Sequence, residues 1–170
     1  MKDGAKYYGI YRGTVENNID PNQTGRITVS VPDVGGLTPS TWASPAVPFV
    51  GKQMGAFIIP QIGAGVWIHF EAGDPDRPVW SGGFWREGEV PALGLAGPPG
   101  NPNIVFQTML QNSIVISDLP GPTGGIMLRS TTGASIIVND TGIYIQNGKG
   151  ASIVLTGPTV TINNGGLVVV

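Results

Sequence analysis

His69 is the only histidine in the 170-residue chain and the first residue to test for chemistry. Residues 66–71 alternate between apolar and polar side chains, which predicts a strand with Ile68 on one face and His69 on the other. A metal site or a general base needs carboxylate, cysteine or further histidine groups nearby. The sequence supplies only Glu71 on the same face as His69, too few ligands for a site, so a packing or interface role is favoured over a metal or catalytic one.

Two groups of acidic residues could hold a cation or act as acid and base. Asp74 and Asp76 lie beside Arg77 in the string GDPDRP at 73–78. Calcium ligation or acid–base work is one interpretation, but a tight hairpin with a local ion pair explains the same string more simply. Asp118 and Asp140 could form a glycosidase pair, yet they stand isolated in a region that is otherwise poor in charge.

The remaining candidates for chemistry are equally weak. Arg26 could contact a phosphate, but it lacks the basic and aromatic neighbours of a nucleic-acid groove. The run Gly51-Lys52-Gln53 is not a phosphate loop, and no Gly-x-Ser-x-Gly motif occurs. We therefore predict no catalytic residues, no metal, no cofactor and no enzymatic activity. Anchoring in the core or between subunits is expected of the four tryptophans, Trp42, Trp67, Trp80 and Trp85.

Composition limits the fold and the partners. Charged residues make up 12% of the chain, glycine and proline are abundant, and long helix-forming runs are missing, which indicates an all-β protein. A net charge of −2 gives no reason to expect nucleic-acid binding. Cysteine is absent, and the start of the chain lacks a signal-peptide core. Synthesis in the cytoplasm without a signal peptide is expected.

Residues 7–85 are predicted to form an OB-type barrel after an N-terminal extension at 1–6. Five runs alternate or are continuously apolar and are separated by turn residues, at 8–15, 26–31, 56–59, 66–71 and 78–85. Five strands in about eighty residues with long loops are typical of that fold. Residues 86–103 follow as a linker, where prolines and glycines forbid a helix and favour extended chain.

Residues 104–170 read as a ladder of very short strands cut by glycine and polar turns, the pattern of a β-helix. Runs of three to five residues are too short to pair well alone, so we expect identical chains to intertwine and pair one another's strand edges. Their apolar side chains should then line the axis of the oligomer. The predicted axial residues are Ile126, Leu128, Ile136, Val138, Ile143, Ile145, Ile153, Leu155, Val160 and Ile162.

Four strings in order carry a resemblance to a known family. They are GTVENN with Asp20-Pro21 and GRITVSVP between residues 13 and 32, Trp42-Ala43 with Pro45, PQIGAGVWIHF at 60–70, and GDPDRPVWSG at 73–82. Together they resemble the OB domain of contractile-tail spikes. These include phage baseplate central spikes of the gpV-like group, VgrG spikes of type VI secretion, and spikes of extracellular injection systems.

The resemblance implies a homotrimeric central spike with OB domains around the axis and tails joined in a triple-stranded β-helix or β-prism. It implies a hub protein at the OB end, and mechanical penetration of the target membrane after sheath contraction. It places the protein in the baseplate of a virion or injection particle. The chain ends without the His-x-His that clasps an axial metal in several small spikes. A PAAR-type tip protein is therefore expected on Leu167, Val168, Val169 and Val170, because a blunt apolar end is unfavourable in water.

Two other classes remain open. A tail-fibre-like β-helical adhesin or depolymerase would degrade or bind glycans with the same kind of tail. An OB-type glycan or nucleic-acid binding module would show salt-dependent binding to single strands. The order of the four strings and the weak basic content favour the spike.

Overall fold

The computed structural model describes residues 4–36, 38–97 and 100–169, and it divides the chain into two compact units, 1–88 and 89–170. The division falls inside the predicted linker. Strands are the main regular structure of both units, and the helices are short, which confirms the all-β class. Among the described residues, no helix is long and apolar enough to cross a membrane.

The first unit is organised around a five-stranded sheet with the order β2-β1-β6-β7-β3. Its strands are β1 (Tyr11–Asn17), β2 (Thr28–Ser30), β3 (Ser44–Pro45), β6 (Gly65–Phe70) and β7 (Pro78–Phe84), and a separate hairpin joins β4 (Val50–Gly51) to β5 (Met54–Gly55). A four-residue helix α1 (Pro32–Gly35) and a 3₁₀ turn (Glu71–Gly73) complete the unit.

The segment from Pro39 to Ala46 closes the sheet towards a barrel. Its Ala43 exchanges both backbone hydrogen bonds with Ile27, at 3.2 and 2.7 Å. Further along, Ala46 N–H donates to the carbonyl of Trp80 on β7 at 2.8 Å. The segment 39–46 therefore pairs with Ile27, next to β2, and also with β7. These bonds satisfy backbone groups of the segment that would otherwise lack partners.

The core of this unit comes from the inward side of the alternating strands. Fully or nearly fully buried side chains form one cluster: Val15, Ile27, Val29, Val31, Ala43, Val66, Ile68, Phe70 and Trp80. The predicted alternation at 26–31 and 66–71 is confirmed, because its apolar positions are the buried ones. Two local predictions are wrong. Residues 56–59 form no strand. The linker contains a 3₁₀ helix at Ala92–Ala96, because Pro91 precedes it, where a proline is tolerated, and Gly94 inside it still donates its N–H to the carbonyl of Pro91 at 2.8 Å.

The second unit is an eight-stranded antiparallel sheet in which every strand pairs with its neighbours in sequence. The strands are β8 (Ile104–Gln107), β9 (Ser113–Ser117), β10 (Gly125–Arg129), β11 (Ala134–Asn139), β12 (Gly142–Asn147), β13 (Ser152–Thr156), β14 (Thr159–Ile162) and β15 (Leu167–Val169). Short 3₁₀ turns lie at Gly121–Thr123 and Asn163–Gly165. These strands match the predicted ladder, because each coincides with an apolar run of the sequence, at 104–106, 114–116, 126–128, 136–138, 143–145, 153–155, 160–162 and 167–170.

The way these strands are paired differs from the prediction. Strands β9 to β14 are paired on both edges by neighbours of the same chain. Pairing of strand edges by other copies is therefore not what completes this sheet. Tight turns between consecutive strands make the local antiparallel partner the nearest one, so the loop-closure entropy is small. Within a single chain, the apolar face and the outer edges of β8 and β15 remain uncovered.

Candidate interaction surfaces

His69 lies on β6 with its Nε2 atom 2.8 Å from the hydroxyl of Ser81 on β7. It faces outward, opposite the buried Ile68 and Phe70, as the alternation predicts. Among the described residues, no three histidine, cysteine, aspartate or glutamate side chains group in a way that could hold a metal ion. The contact of His69 is a half-buried hydrogen bond across two strands.

The GDPDRP string forms the turn between β6 and β7. Asp74 accepts a hydrogen bond from the backbone N–H of Asp76 at 3.1 Å, and the N–H of Arg77 donates to the carbonyl of Asp74 at 3.0 Å. The ion pair of Arg77 is made with Glu71, at the other side of the turn. These carboxylates and the arginine therefore stabilise a hairpin.

Arg26 is occupied by a carboxylate of its own chain. Its Nη2 and Nε atoms donate to Asp20 Oδ1 at 2.6 and 3.1 Å. The guanidinium also lies 5.4 Å from the ring centre of Trp42, a cation–π distance. This arrangement leaves Arg26 poorly placed to bind an external phosphate.

Asp118 and Asp140 each serve a local contact. Asp140 accepts the backbone N–H of Gly121 at 3.0 and 3.1 Å, which fixes the 3₁₀ turn against the β11–β12 connection. Asp118 accepts the side-chain amide of Asn101 at 3.4 Å. Both carboxylates therefore stabilise local structure within unit 2 through hydrogen bonds.

One face of the eight-stranded sheet is apolar from end to end. The strand register aligns its large side chains in two rows across the strands. The first row is Ile104, Ile116, Ile126, Val138, Ile143, Leu155 and Val160, and the second is Phe106, Ile114, Leu128, Ile136, Ile145, Ile153, Ile162 and Leu167. We call these two rows the apolar face; they contain all ten predicted axial residues.

The apolar face is open to solvent in a single chain. Its exposed fractions run from 37% at Ile143 to 60% at Phe106, while Leu155, Val160 and Ile162 are partly buried. The opposite face differs, because its central row of apolar and aromatic side chains is buried or partly buried and is flanked by serines, Arg129 and Gln146. That central row is Val105, Val115, Met127, Ile137, Tyr144 and Val154. Contiguous exposed apolar surface of this extent marks an interaction site.

Comparison with known families accounts for both units. Residues 11–85 match the family model of the type VI secretion system/phage-baseplate injector OB domain. Residues 103–168 match that of the phage baseplate V C-terminal trimerisation domain. The chain belongs to the phage baseplate V family. No curated protein matches it closely. The expected resemblance and the OB-type barrel are confirmed, and a baseplate V protein is a baseplate spike component that associates as a homotrimer.

In this baseplate V protein the trimerisation match spans β8 to β14 and most of β15, the strands that carry the apolar face. Leu167 at its end is exposed. Val168 and Val169 belong to β15 by their backbone, but their side chains, like all of Val170, lie outside the described residues. The predicted tip-binding role of these four residues stays a prediction.

The sequence interpretation missed one surface of the OB unit. On the outward side of β1, β6 and β7, the guanidinium carbon of Arg12 lies 5.4 Å from the ring centre of Trp67 and 5.0 Å from that of Phe84. The two rings are 4.9 Å apart. We call Arg12, Trp67 and Phe84 the arginine–aromatic cluster. The outward alternation of Arg12 and Trp67 was visible in the sequence, but their pairing across strands was not.

Proposed function

We propose that this baseplate V protein is the central spike at the tip of a contractile tail or injection-system baseplate, where it docks on a hub and mechanically pierces the target cell envelope. The observation that carries the proposal is the apolar face. Three copies of the sheet can bury the exposed apolar face around a common axis and turn outward the opposite face, whose apolar central row is already largely buried and flanked by polar side chains.

The trimer then forms a prism whose three sides are the three sheets. Each sheet is completed by its own chain, so the copies meet through side chains and need not share strand edges. Burying an exposed aliphatic side chain contributes roughly 1.5–3 kcal/mol when burial is complete. The fifteen positions of the apolar face in each chain, fourteen aliphatic and one aromatic, offer a long, continuous contact.

A rod of this construction acts by its stiffness. Close-packed aliphatic side chains leave few internal motions of low energy, and three chains must separate before any one unfolds. The spike therefore works without catalysis, metal or cofactor. Force from the contracting particle supplies the work of membrane penetration.

The two ends of the spike have different partners in this proposal. The OB unit docks on the hub at the end of the tail tube, and a PAAR-type tip protein covers the last residues from Leu167 onward. The exposed side chain of Leu167 and the free edge of β15 are the surfaces that such a tip would cover.

Imaging of the particle tests the central proposal. Cryo-electron microscopy of particles carrying an epitope-tagged copy should place the chain at the membrane-facing centre of the baseplate. Particles lacking the chain should fail to permeabilise target cells after contraction, while a complemented strain should recover. A location on lateral fibres, or glycan degradation by the purified trimer, would instead support the adhesin or depolymerase alternative.

A further inference from the structure

We propose that Asn164 is a site of spontaneous modification, at which the backbone nitrogen of Gly165 attacks the asparagine side chain and converts it to aspartate or isoaspartate. Two Asn-Gly pairs occur in the chain, Asn147-Gly148 and Asn164-Gly165. Asparagine is a thermolabile side chain, and a following glycine has no Cβ to shield the attacking nitrogen or to restrict its peptide. The fold distinguishes the two pairs and frees the second one for this reaction. The inference does not depend on the proposed function, because the reaction needs only this chain and water.

The reaction exchanges one ammonia for one water. After the N–H of Gly165 loses its proton to water or hydroxide, the nitrogen bonds to Cγ of Asn164, the Cγ–Nδ2 bond breaks, and Nδ2 takes up a proton and leaves as ammonia. Water then opens the resulting five-membered imide. Addition of water at Cγ gives aspartate, and addition at the backbone carbonyl gives isoaspartate, in which the chain runs through Cβ and Cγ. Both products carry a carboxylate in place of a neutral amide, and nothing is oxidised or reduced.

The Asn147 side chain is restrained against this reaction. Its Oδ1 accepts the backbone N–H groups of Lys149 and Ala151 at 2.8 and 3.1 Å. Gly148 is also crowded, because a Cβ on it would lie 2.5 Å from the carbonyl oxygen of Thr132. The peptide between Asn147 and Gly148 therefore has little room to rotate towards the side chain, and reaction there requires local opening of the fold.

Asn164 carries neither restraint. It is exposed in the 3₁₀ turn Asn163–Gly165, between β14 and β15. The neighbouring Asn163 uses its Oδ1 to accept the N–H of Ser152 at 3.1 Å, whereas no described residue hydrogen-bonds the side chain of Asn164. Nothing lies within 4 Å of the place that a Cβ on Gly165 would take. The peptide of Gly165 can therefore reach Cγ without the loss of any hydrogen bond of the Asn164 side chain.

The modification acts on β15. Ile162 and Leu167 pair directly across the turn, and β15 lies at the end of the sheet with β14 as its neighbour. Isoaspartate adds one atom to the backbone of this connection and introduces a charge, so the register that joins Ile162 to Leu167 is disturbed. A three-residue end strand has few hydrogen bonds with which to resist this change. We therefore expect conversion at Asn164 to loosen β15 from the sheet.

The first experiment compares the two Asn-Gly pairs in the same molecule. Purified full-length protein is aged in mildly alkaline buffer at physiological temperature, and both sites are followed by peptide mass spectrometry. Asn164 should convert roughly tenfold faster than Asn147, because two hydrogen bonds must first be released at Asn147. In denaturant the two sites should convert at similar rates, since both are followed by glycine. Equal rates in the folded protein, or faster conversion at Asn147, would overturn the inference.

A second experiment measures the effect on β15. Hydrogen exchange at residues 160–162 and 167–169 should accelerate in the aged wild type as isoaspartate accumulates, with isoaspartyl methyltransferase labelling as the measure of that product. Asn164→Gln is the matched control, because the longer side chain must close a larger ring and reacts far more slowly. The aged variant should exchange at the same rate as the fresh variant. Unchanged exchange in fully converted wild type, or equal acceleration in the variant, would overturn the link between Asn164 and β15.

Discussion

Asp20 and Arg26 close the loop between β1 and β2 through a two-pronged ion pair, with Arg26 Nη2 and Nε at 2.6 and 3.1 Å from one carboxylate oxygen. The second oxygen, Oδ2, accepts the backbone N–H groups of Thr24 and Arg26 at 2.8 and 3.2 Å and the Thr24 hydroxyl at 2.8 Å. The Arg26 guanidinium, the backbone N–H groups of Asn22 and Thr24 and the Thr24 hydroxyl hold the pKa of the Asp20 carboxyl well below its usual range. The Asp20 side chain therefore holds the loop that precedes β2.

Replacing Asp20 by Asn should destabilise the OB unit in a pH-dependent way. A carboxyl whose folded pKa is depressed stabilises the fold above its unfolded pKa of about 4, and this contribution is lost as the pH falls below that value. The Asp20→Asn variant should melt several degrees below the wild type at pH 7, and the difference should shrink towards pH 3. Tryptophan fluorescence is a selective probe, because all four tryptophans lie in unit 1. A melting difference that does not change with pH would contradict the assignment.

Trp80 should be the tryptophan most sensitive to conservative substitution. Its Nε1–H donates to the carbonyl of Gly25 at 3.1 Å inside the core. Trp80→Phe removes the donor and leaves that carbonyl without its partner, so we expect a loss of about 1–3 kcal/mol in the free energy of unfolding. Trp85→Phe is the control, since Trp85 is 66% exposed and should change stability by under about 0.5 kcal/mol. Urea titration of both variants measures the difference.

The parts of the fold that could be predicted from the sequence are those set by local pattern. Alternation at residues 26–31 and 66–71 identified the buried faces, because successive side chains of a strand point to opposite sides. Short apolar runs between turn residues identified the positions of β8 to β15. The same rule placed the ten predicted axial residues on one side of the sheet. Their location on a trimer axis remains a prediction.

Other features depend on contacts between distant segments, and these could not be read from the pattern. Each strand in residues 104–170 could pair with its neighbours in the same chain or with strands of other copies. Composition does not decide between the two. The partner of Arg77 proved to be Glu71, which lies across the turn from the nearby aspartates. The closeness of Arg12 to Phe84 depends on the register of three strands and on the missing side chain of Gly65.

Gly142 should tolerate no side chain, because the next strand already occupies its space. A Cβ on Gly142 would lie 2.2 Å from the carbonyl oxygen of Leu155, and the residue has φ +155°. Gly142→Ala should displace β13 from β12 and cost roughly 2–3 kcal/mol of stability. Gly94→Ala is the control in the same unit, since its nearest new contact would be an ordinary 3.9 Å. Hydrogen exchange should accelerate across residues 142–156 in the first variant only; equal exchange in both would contradict the close approach.

Ile143→Asp tests whether the apolar face holds the trimer together. Ile143 lies in the first row of that face, aligned with Val138 and Leu155 on the adjacent strands. Three copies of the aspartate would be buried together near the axis, and uncompensated buried charge is strongly unfavourable. Native mass spectrometry should therefore show monomer in place of trimer, and the SDS-resistant band should disappear.

The matched control for Ile143→Asp places the same charge on the same strand but on the other face. Gln146 is exposed on β12, in a polar position that flanks the central row of the opposite face, and it bonds Ser135 there. Gln146→Asp should remain trimeric, because its carboxylate stays in water, although the loss of the Ser135 contact should lower stability slightly. If Ile143→Asp stays trimeric while Gln146→Asp dissociates, the two faces of the sheet have been assigned the wrong way round.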